Sequence, residues 1–368
     1  MTRKKKIALG ALGVIAVAVL SLGLYLSHDS PCGAAPAADA NVPAIKAITQ
    51  RCYGAPEVLR LEDLPKPTPA DNELLVKVRA ASVNPLDWHY MRGTPYLVRM
   101  DRGQGAPKNP RLGVDFAGTV EAVGKDVKRF HAGDEVFGGR LGAFGEYIVV
   151  REDRAVIAKP ANITFEEAAA VPIAALTALQ GLRDKGRIKA GQKVLINGAS
   201  GGVGTYAVQI AKLFGAEVTG VCSTRNVEMV RSLGADHVVD YTKEDFTKGG
   251  QKYDLILDNV GNRPLSEVRR VMTPKGISVI IGGPSDDNWL GPMKVVIKAA
   301  VYSPFVSQEF SMMLSDLTPA DLGWLRDQLQ AGKLKSVIDR SYRLSEVPAA
   351  IAYLEGGHAR GKVVITID

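Results

Sequence analysis

The chain has 368 residues, 46% hydrophobic, 23% charged and 6% aromatic, which excludes a disordered, collagenous or repeat-array protein and predicts two domains. Its net charge of +7 is scattered through mixed-sign sequence, apart from a small N-terminal excess of Arg3, Lys4, Lys5 and Lys6 over Asp29 and Asp39. No basic block with interleaved aromatics occurs, so nucleic-acid binding is not expected.

Directly after the lysines, residues 7–26 (IALGALGVIAVAVLSLGLYL) carry no charge and no proline. Twenty helical residues span ~30 Å, the thickness of a hydrocarbon core. A cleaved signal peptide competes with an uncleaved transmembrane helix. The run is long for a signal peptide, and the nearest small-residue cleavage site, Ala38-Asp39-Ala40, lies well past it. The expectation is therefore a single-pass anchor and a membrane location. The lysines would stay cytoplasmic and the body would face outward, at odds with the cofactor read below. Residues 27–44 read as a small, polar, proline-containing tether, so 1–44 form anchor and tether.

From Ile45 onward short strands are expected at Lys46–Thr49, Leu74–Val78, Gly118–Val123 and Tyr147–Val150, separated by Pro-, Gly- and Asp-rich turns. Such spacing predicts a compact β-barrel-like domain.

Near Ile163 the texture changes. Phe165–Gln180 is alanine-rich and helical, Val194–Ile196 is a buried strand, and Asn197-Gly198-Ala199-Ser200-Gly201-Gly202-Val203-Gly204 follows. Val203, Ala207, Ile210, Ala211 and Phe214 then keep helical spacing, Gly215 closes the helix, and Glu217–Val221 is the next strand. Strand, glycine loop, helix and strand are the context of a dinucleotide site, with Ala199 in the first glycine place of G-x-G-x-x-G. Small residues let backbone N–H groups reach a pyrophosphate, and the helix N-terminus adds partial positive charge.

The end of the second strand reads Cys222-Ser223-Thr224-Arg225-Asn226, with no acid for a ribose 2′-hydroxyl. Ser223 and Arg225 suit a 2′-phosphate, which favours NADPH over NADH, although both also suit a helix start. Alternation continues through helix Val227–Leu233, strand His237–Asp240, strand Asp254–Asp258, helix Leu265–Val271 and strand Ile277–Ile281. Ligands sit beyond the carboxyl ends of such strands, which makes Tyr241, Asn259, Gly282 and Gly283 candidate cleft residues. The apolar run 289–306 fits core or dimer interface, or else a substrate lid or membrane-touching surface.

Taken together, Ala81-Ser82-Val83-Asn84-Pro85-Leu86-Asp87-Trp88, Gly113-Val114-Asp115-Phe116-Ala117-Gly118, Gly133-Asp134-Glu135-Val136-Phe137-Gly138, Leu176-Thr177-Ala178, the loop 199–204, Leu233-Gly234-Ala235-Asp236 and Ala359-Arg360-Gly361-Lys362-Val363-Val364 resemble the medium-chain dehydrogenase/reductase superfamily, in its zinc-free quinone oxidoreductase-like branch. Residues 1–44 lie outside the resemblance. It implies an α/β fold: a Rossmann doubly wound parallel sheet (166–310) beside a discontinuous GroES-like β-barrel catalytic domain (45–165 with 311–368). A homodimer is also implied.

Zinc relatives hold the metal with Cys, His and Cys. Here those places fall at Ser82-Val83-Asn84 and Gly113-Val114-Asp115, and no cysteine lobe follows Gly139. The three cysteines (Cys32, Cys52, Cys222) form no C-x-x-C pair, which excludes a disulfide scaffold and a zinc ribbon. No zinc is expected, and the chemistry implied is NADPH-dependent hydride transfer to a hydrophobic quinone or α,β-unsaturated carbonyl. By resemblance Asn84 orients nicotinamide or substrate, Asp87 braces that loop and Thr177 sits beside the nicotinamide. Tyr90 or His89 supplies a proton or only lines the pocket. Arg360 and Lys362 reach the cofactor or end a strand. A non-catalytic NADPH-binding adaptor and an alcohol dehydrogenase remain the alternatives.

Overall fold

The computed structural model describes residues 17, 21–35, 42–284 and 287–368. Two sheets organise the body. In the first, β3 (Glu73–Val83) is central, because both of its faces are buried and it pairs with three strands. Its antiparallel neighbours are β4 (Asp115–Val123), β6 (Tyr147–Arg151) and β15 (Lys362–Thr366); β5 (Glu135–Gly139), β7 (Val156–Ala158) and β14 (Ile338–Arg343) extend the sheet. A hairpin of β1 (Ala44–Gln50) and β2 (Leu59–Pro65) lies beside it. Ile48, Val76, Val78, Phe116, Phe144, Val363 and Ile365 share one fully buried core, so the C-terminal strands complete a barrel begun some 280 residues earlier. This is the GroES-like part of the expected fold.

The second sheet is wholly parallel, in the order β10-β9-β8-β11-β12-β13: β8 (Lys193–Asn197), β9 (Glu217–Cys222), β10 (His237–Asp240), β11 (Tyr253–Asp258), β12 (Met272–Ile280) and β13 (Glu309–Met312). Numbered from β8 this is the 3-2-1-4-5-6 Rossmann order, whose switch point falls between β8 and β11. Val194, Leu195 and Ile196 are completely buried, as strands covered by helices on both faces must be. The stretch 165–180 divides into Phe165–Ala169 and Pro172–Gln180, because Pro172 lacks an N–H and starts a helix rather than continuing one.

The transmembrane expectation is corrected. Among the described residues no helix is long and apolar enough to cross a membrane, so the single-pass anchor and the membrane location are withdrawn. Most of 7–26 lies outside the described residues. Its described end, 21–27, is helical and turns Leu26 into the body at 5% exposure. The tether also differs from a free linker: Cys32 and Cys52 form a disulfide.

Two backbone contacts mark opposite sides of the seam between the two parts. On one side Gly201 of the glycine loop pairs with Gly361 in a parallel bridge. On the other, the Tyr96 N–H donates to the Asn288 carbonyl at 2.7 Å. In a sheet of this order the ligand cleft is expected beyond the carboxyl ends of the strands, at the switch point.

Candidate active site

β3 runs out at Val83, and Asn84 caps the helix Pro85–Arg92, with Pro85 in the first turn, where its missing N–H costs nothing. Asp87 Oδ2 accepts the Asn84 N–H at 2.7 Å, closing the cap. Asp115 opens β4 opposite Ser82. Its Oδ2 accepts from Ser82 Oγ and Asn84 Nδ2, both at 2.9 Å, and its Oδ1 accepts the Ile173 N–H at 3.1 Å. Thr177 is one turn further along that helix, with its hydroxyl on the Ile173 carbonyl at 2.7 Å. Asn84, Asp115 and Thr177 are thereby drawn together across 93 residues of chain from three elements.

Lys362 completes the cluster from β15. Its Nζ donates to Asn84 Oδ1 at 2.6 Å and to the Val83 carbonyl at 3.2 Å, and lies 3.5 Å from Asp115 Oδ2. Its side chain is 3% exposed. A buried ammonium and two buried carboxyls offset one another. Burial drives the Lys362 ammonium below its usual range, with Asp115 and Asp87 opposing. Burial raises Asp115, with Lys362, Asn84 and Ser82 opposing. Asp87 is pushed up to about 7, by burial first and by the charge of Asp115, against the Asn84 N–H and Lys362.

The site does not fit zinc. The places of the first two ligands hold an amide, a hydroxyl and a carboxylate already engaged by an ammonium at hydrogen-bond distance. Among the described residues no three His, Cys, Asp or Glu gather where they could hold a metal.

Lys362 also backs the glycine loop: a Cβ on Gly202 would stand 3.1 Å from its Cδ. The loop itself fits a dinucleotide. The helix Gly202–Leu213 leaves its first N–H groups without intrahelical partners. Gly204 is obligatory, since a Cβ there would lie 2.1 Å from the Gly198 carbonyl oxygen, whereas a Cβ on Gly201 would meet that oxygen only at 3.6 Å, an ordinary contact. Ala199 is buried and its N–H donates to the Val221 carbonyl, so this position packs the loop on β9.

Beyond β9, the buried Asn226 joins three expected residues. Its Nδ2 donates to Ser200 Oγ at 3.0 Å and Ser223 Oγ at 3.1 Å, and its Oδ1 accepts from Arg360 Nε at 2.8 Å. Arg225 Nη2 donates to the His358 carbonyl at 2.7 Å, on the same rim. Asn226 was not singled out from the sequence, where it is one polar residue after another. Only its burial and its 134-residue partner mark it.

The other expected residues sit as follows. Asn259 Nδ2 donates to the Asn197 carbonyl at 2.9 Å, at the switch point. Gly282 packs on the Asn259 backbone and Gly283 on Pro292, along the same strand ends. The Val203 side chain packs against the Rossmann core. Tyr241 is 55% exposed, with its N–H on the Cys222 carbonyl. The Tyr90 ring lies under the Arg102 guanidinium, 4.2 Å from its centroid, and burial raises its phenol. His89 stacks on Trp88 and donates from Nδ1 to the Thr94 carbonyl at 2.7 Å, with its pKa lowered by burial. Neither Tyr90 nor His89 is hydrogen-bonded to Asn84 or Thr177.

Comparison with known proteins agrees with this geometry. The family model for the alcohol dehydrogenase GroES-like domain matches residues 70–161, and that for zinc-binding dehydrogenase matches 233–365. A 2-methylene-furan-3-one reductase of Solanum lycopersicum is 35% identical over 364 residues, covering 94% of this chain and 85% of its own length. An NADPH-dependent alkenal/one oxidoreductase, chloroplastic, of Arabidopsis thaliana is 34% identical, covering 89% and 81%. The structure of a quinone oxidoreductase from Coxiella burnetii superposes with a TM-score of 0.77 at 31% identity, over 89% of this chain and all of that one. A nicotinamide-dependent oxidoreductase is what the cleft and these relatives have in common, and the chain belongs to the medium-chain dehydrogenase/reductase superfamily, in its quinone oxidoreductase-like branch.

Proposed function

We propose that the chain is a zinc-independent reductase that uses NADPH to reduce a hydrophobic quinone or α,β-unsaturated carbonyl. The observation that carries this reading is the buried Lys362–Asn84–Asp115 cluster, which occupies the metal position at the seam of the cleft with hydrogen-bonding groups. The relatives named for enone reduction and quinone reduction support the acceptor class. When bound, the nicotinamide supplies a hydride.

The chain's own residues do the rest. N–H groups of 202–204 and the helix terminus hold the pyrophosphate. Asn226 fixes Ser200, Ser223 and Arg360 toward a 2′-phosphate, and Arg225 adds charge at the same rim, which favours NADPH. One Asn84 amide hydrogen is spent on Asp115, and the second is left to hold the nicotinamide carboxamide or the acceptor oxygen. Thr177 packs beside it, and Asp87 keeps the helix cap in register. Hydrogen-bond donation at the acceptor oxygen stabilises the charge that develops there. The proton comes from Tyr90, His89 or water. We assign the catalytic unit to 45–165 with 311–368 and the nucleotide unit to 166–310, and place two copies in a homodimer.

The test is NADPH and NADH oxidation by the full chain, with EDTA present, against an alkyl enone and an o-quinone. NADPH-selective turnover unaffected by chelator is expected. Tight NADPH binding with no oxidation of either acceptor would overturn the enzyme reading in favour of an adaptor.

A further inference from the structure

Residues 21–33 do not trail from the body. Arg99, whose side chain is 2% exposed, holds them at three points: Nη1 donates to the Leu26 and His28 carbonyls at 3.1 and 3.0 Å, and Nη2 pairs with Asp29 at 2.9 Å. The guanidinium lies between the rings of Tyr53 and Tyr96, 4.5 and 4.6 Å from their centroids. The Ser30 N–H donates to the Gly105 carbonyl at 2.9 Å, and Gly105, at φ +72°, leaves room that a Cβ would take from Ser30 Oγ. Gln104 reaches the Tyr25 carbonyl. Two residues beyond Ser30, Cys32 is bonded to Cys52.

These anchors converge on the end of the Asn84 helix and on the loop beyond β12. Cys52 follows β1, where Gln50 Nε2 donates to the carbonyls of Cys52, Tyr90 and Met91 at 3.0, 3.2 and 2.6 Å. The disulfide is thus stitched to the last turns of the helix that Asn84 begins. At the other end of the segment, Gly23 backs onto the Trp289 indole, a Cβ there standing 3.0 Å from Cη2. Trp289 packs edge-on against Tyr96, centroids 5.0 Å apart, at the joint where Tyr96 meets Asn288. Asn288 and Trp289 belong to the loop beyond the carboxyl end of β12, and Tyr96 to the loop beyond the Asn84 helix. The segment therefore backs both lips of the cleft at the joint opposite the pyrophosphate loop.

We propose that residues 21–33 are a strap, pinned by Arg99 and the Cys32–Cys52 disulfide, that backs Trp289 and Tyr96 and thereby sets the size of acceptor the cleft admits. This rests on the acceptor-reductase reading above. A second consequence follows from chemistry alone. Reduction of the disulfide by a dithiol, which leaves two thiols and oxidises the dithiol to its disulfide, removes one of the two pins.

The experiment compares kcat/KM for a short enal and a bulky aryl enone, with NADPH, in the full chain and two variants. In C32S/C52S the strap is loosened: amides of 21–33 exchange faster with deuterium and the bulky-to-small ratio rises about fivefold or more, the small enal changing less than about twofold. In Gly23→Leu the indole is pressed toward Tyr96 and the ratio falls by a similar factor. Trp289→Ala raises the ratio, and C32S/C52S adds nothing further in that background, since both act through one residue. An unchanged ratio in both strap variants, unchanged exchange in C32S/C52S, or an equal loss for both acceptors would overturn the strap while leaving the reductase reading intact. Failure of the wild-type chain to turn over either acceptor would overturn both. Should C32S/C52S fail to fold, Gly23→Leu alone decides.

Discussion

Burial of Asp87 makes the stability of the fold depend on pH. Its carboxyl titrates near 7 in the fold and near 4 when the chain is unfolded. Below about pH 4 it is neutral in both states; between the two values the folded chain holds the extra proton, so stability from this group is lost as pH rises from about 4 through 7. At ~1.4 kcal/mol per pH unit the loss is at most about 4 kcal/mol. Asp87→Asn keeps an acceptor for the Asn84 N–H but cannot ionise, so relative to wild type it gains stability at pH 8 over pH 5. Denaturant unfolding at the two pH values checks this, and an identical difference at both would refute it. The same variant should flatten any step near pH 7 in kcat/KM. On the far rim, Arg360→Ala leaves Asn226 Oδ1 without its charged donor, and KM for NADPH should rise about 10- to 100-fold while NADH changes little. Steady-state titration of both nucleotides measures the contrast; a parallel rise for NADH would remove Arg360 from the 2′-phosphate. Of these residues, Arg360 and Asp87 could be singled out from the sequence because they sit in motifs. The turn of Lys362 onto Asn84, 278 positions away, could not, since a pairing at that distance leaves no local pattern.

The elements were read from the sequence as far as their signals are local. β8, the glycine loop and the helix Gly202–Leu213 were legible because strand, turn and helix periodicities change over within twenty residues, and the fold required by that unit is the one found. The break at Pro172 and the extension of β12 back to Met272 were missed, the first because alanine-rich sequence hides a boundary and the second because Pro274 and Gly276 mask a strand that only its partners fix. The N-terminal run was misread for the opposite reason. Apolar composition alone gave a membrane span, whereas Leu26, Arg99 and Cys32 tie the end of that run to the body through contacts that composition does not encode. The glycine loop also yields an element-scale prediction. Gly204→Ala places a methyl 2.1 Å from the Gly198 oxygen and 2.7 Å from Ala199 Cα, both backbone, so the loop must move off the pyrophosphate path. NADPH affinity by fluorescence titration should fall at least about tenfold, whereas Gly201→Ala, with only the Gly198 oxygen at 3.6 Å, leaves the apo fold unperturbed and acts only against bound nucleotide.

At the scale of the whole molecule the Rossmann sheet ends in two edge strands, β10 and β13, and the β13 edge is the one bordered by exposed apolar side chains. β13 pairs only with β12, so its outer N–H and carbonyl groups have no strand beside them. Around that edge Val301, Phe305 and Leu314 are 65, 82 and 77% exposed, large apolar side chains that a monomer ordinarily buries. Sequence reading gave 289–306 as core or dimer interface, or else as a substrate lid or membrane-touching surface. The structure turns Ala299 inward and leaves Phe305 and Val301 outward. An exposed edge of this kind invites open-ended pairing unless a twofold axis closes it, and two copies joined β13 to β13 satisfy both edges at once, because an isologous contact uses the same patch twice. Light scattering on the eluting protein should therefore give twice the 39.3 kDa chain mass. Phe305→Glu with Leu314→Glu sets like charges across the axis and should yield a monomer that still binds NADPH, since the glycine loop follows β8 and Asn226 follows β9, three and four strands away from β13. A wild-type monomer, or a double variant that stays dimeric, would move the interface elsewhere. A monomer that loses NADPH would mean instead that the edge supports the nucleotide fold itself.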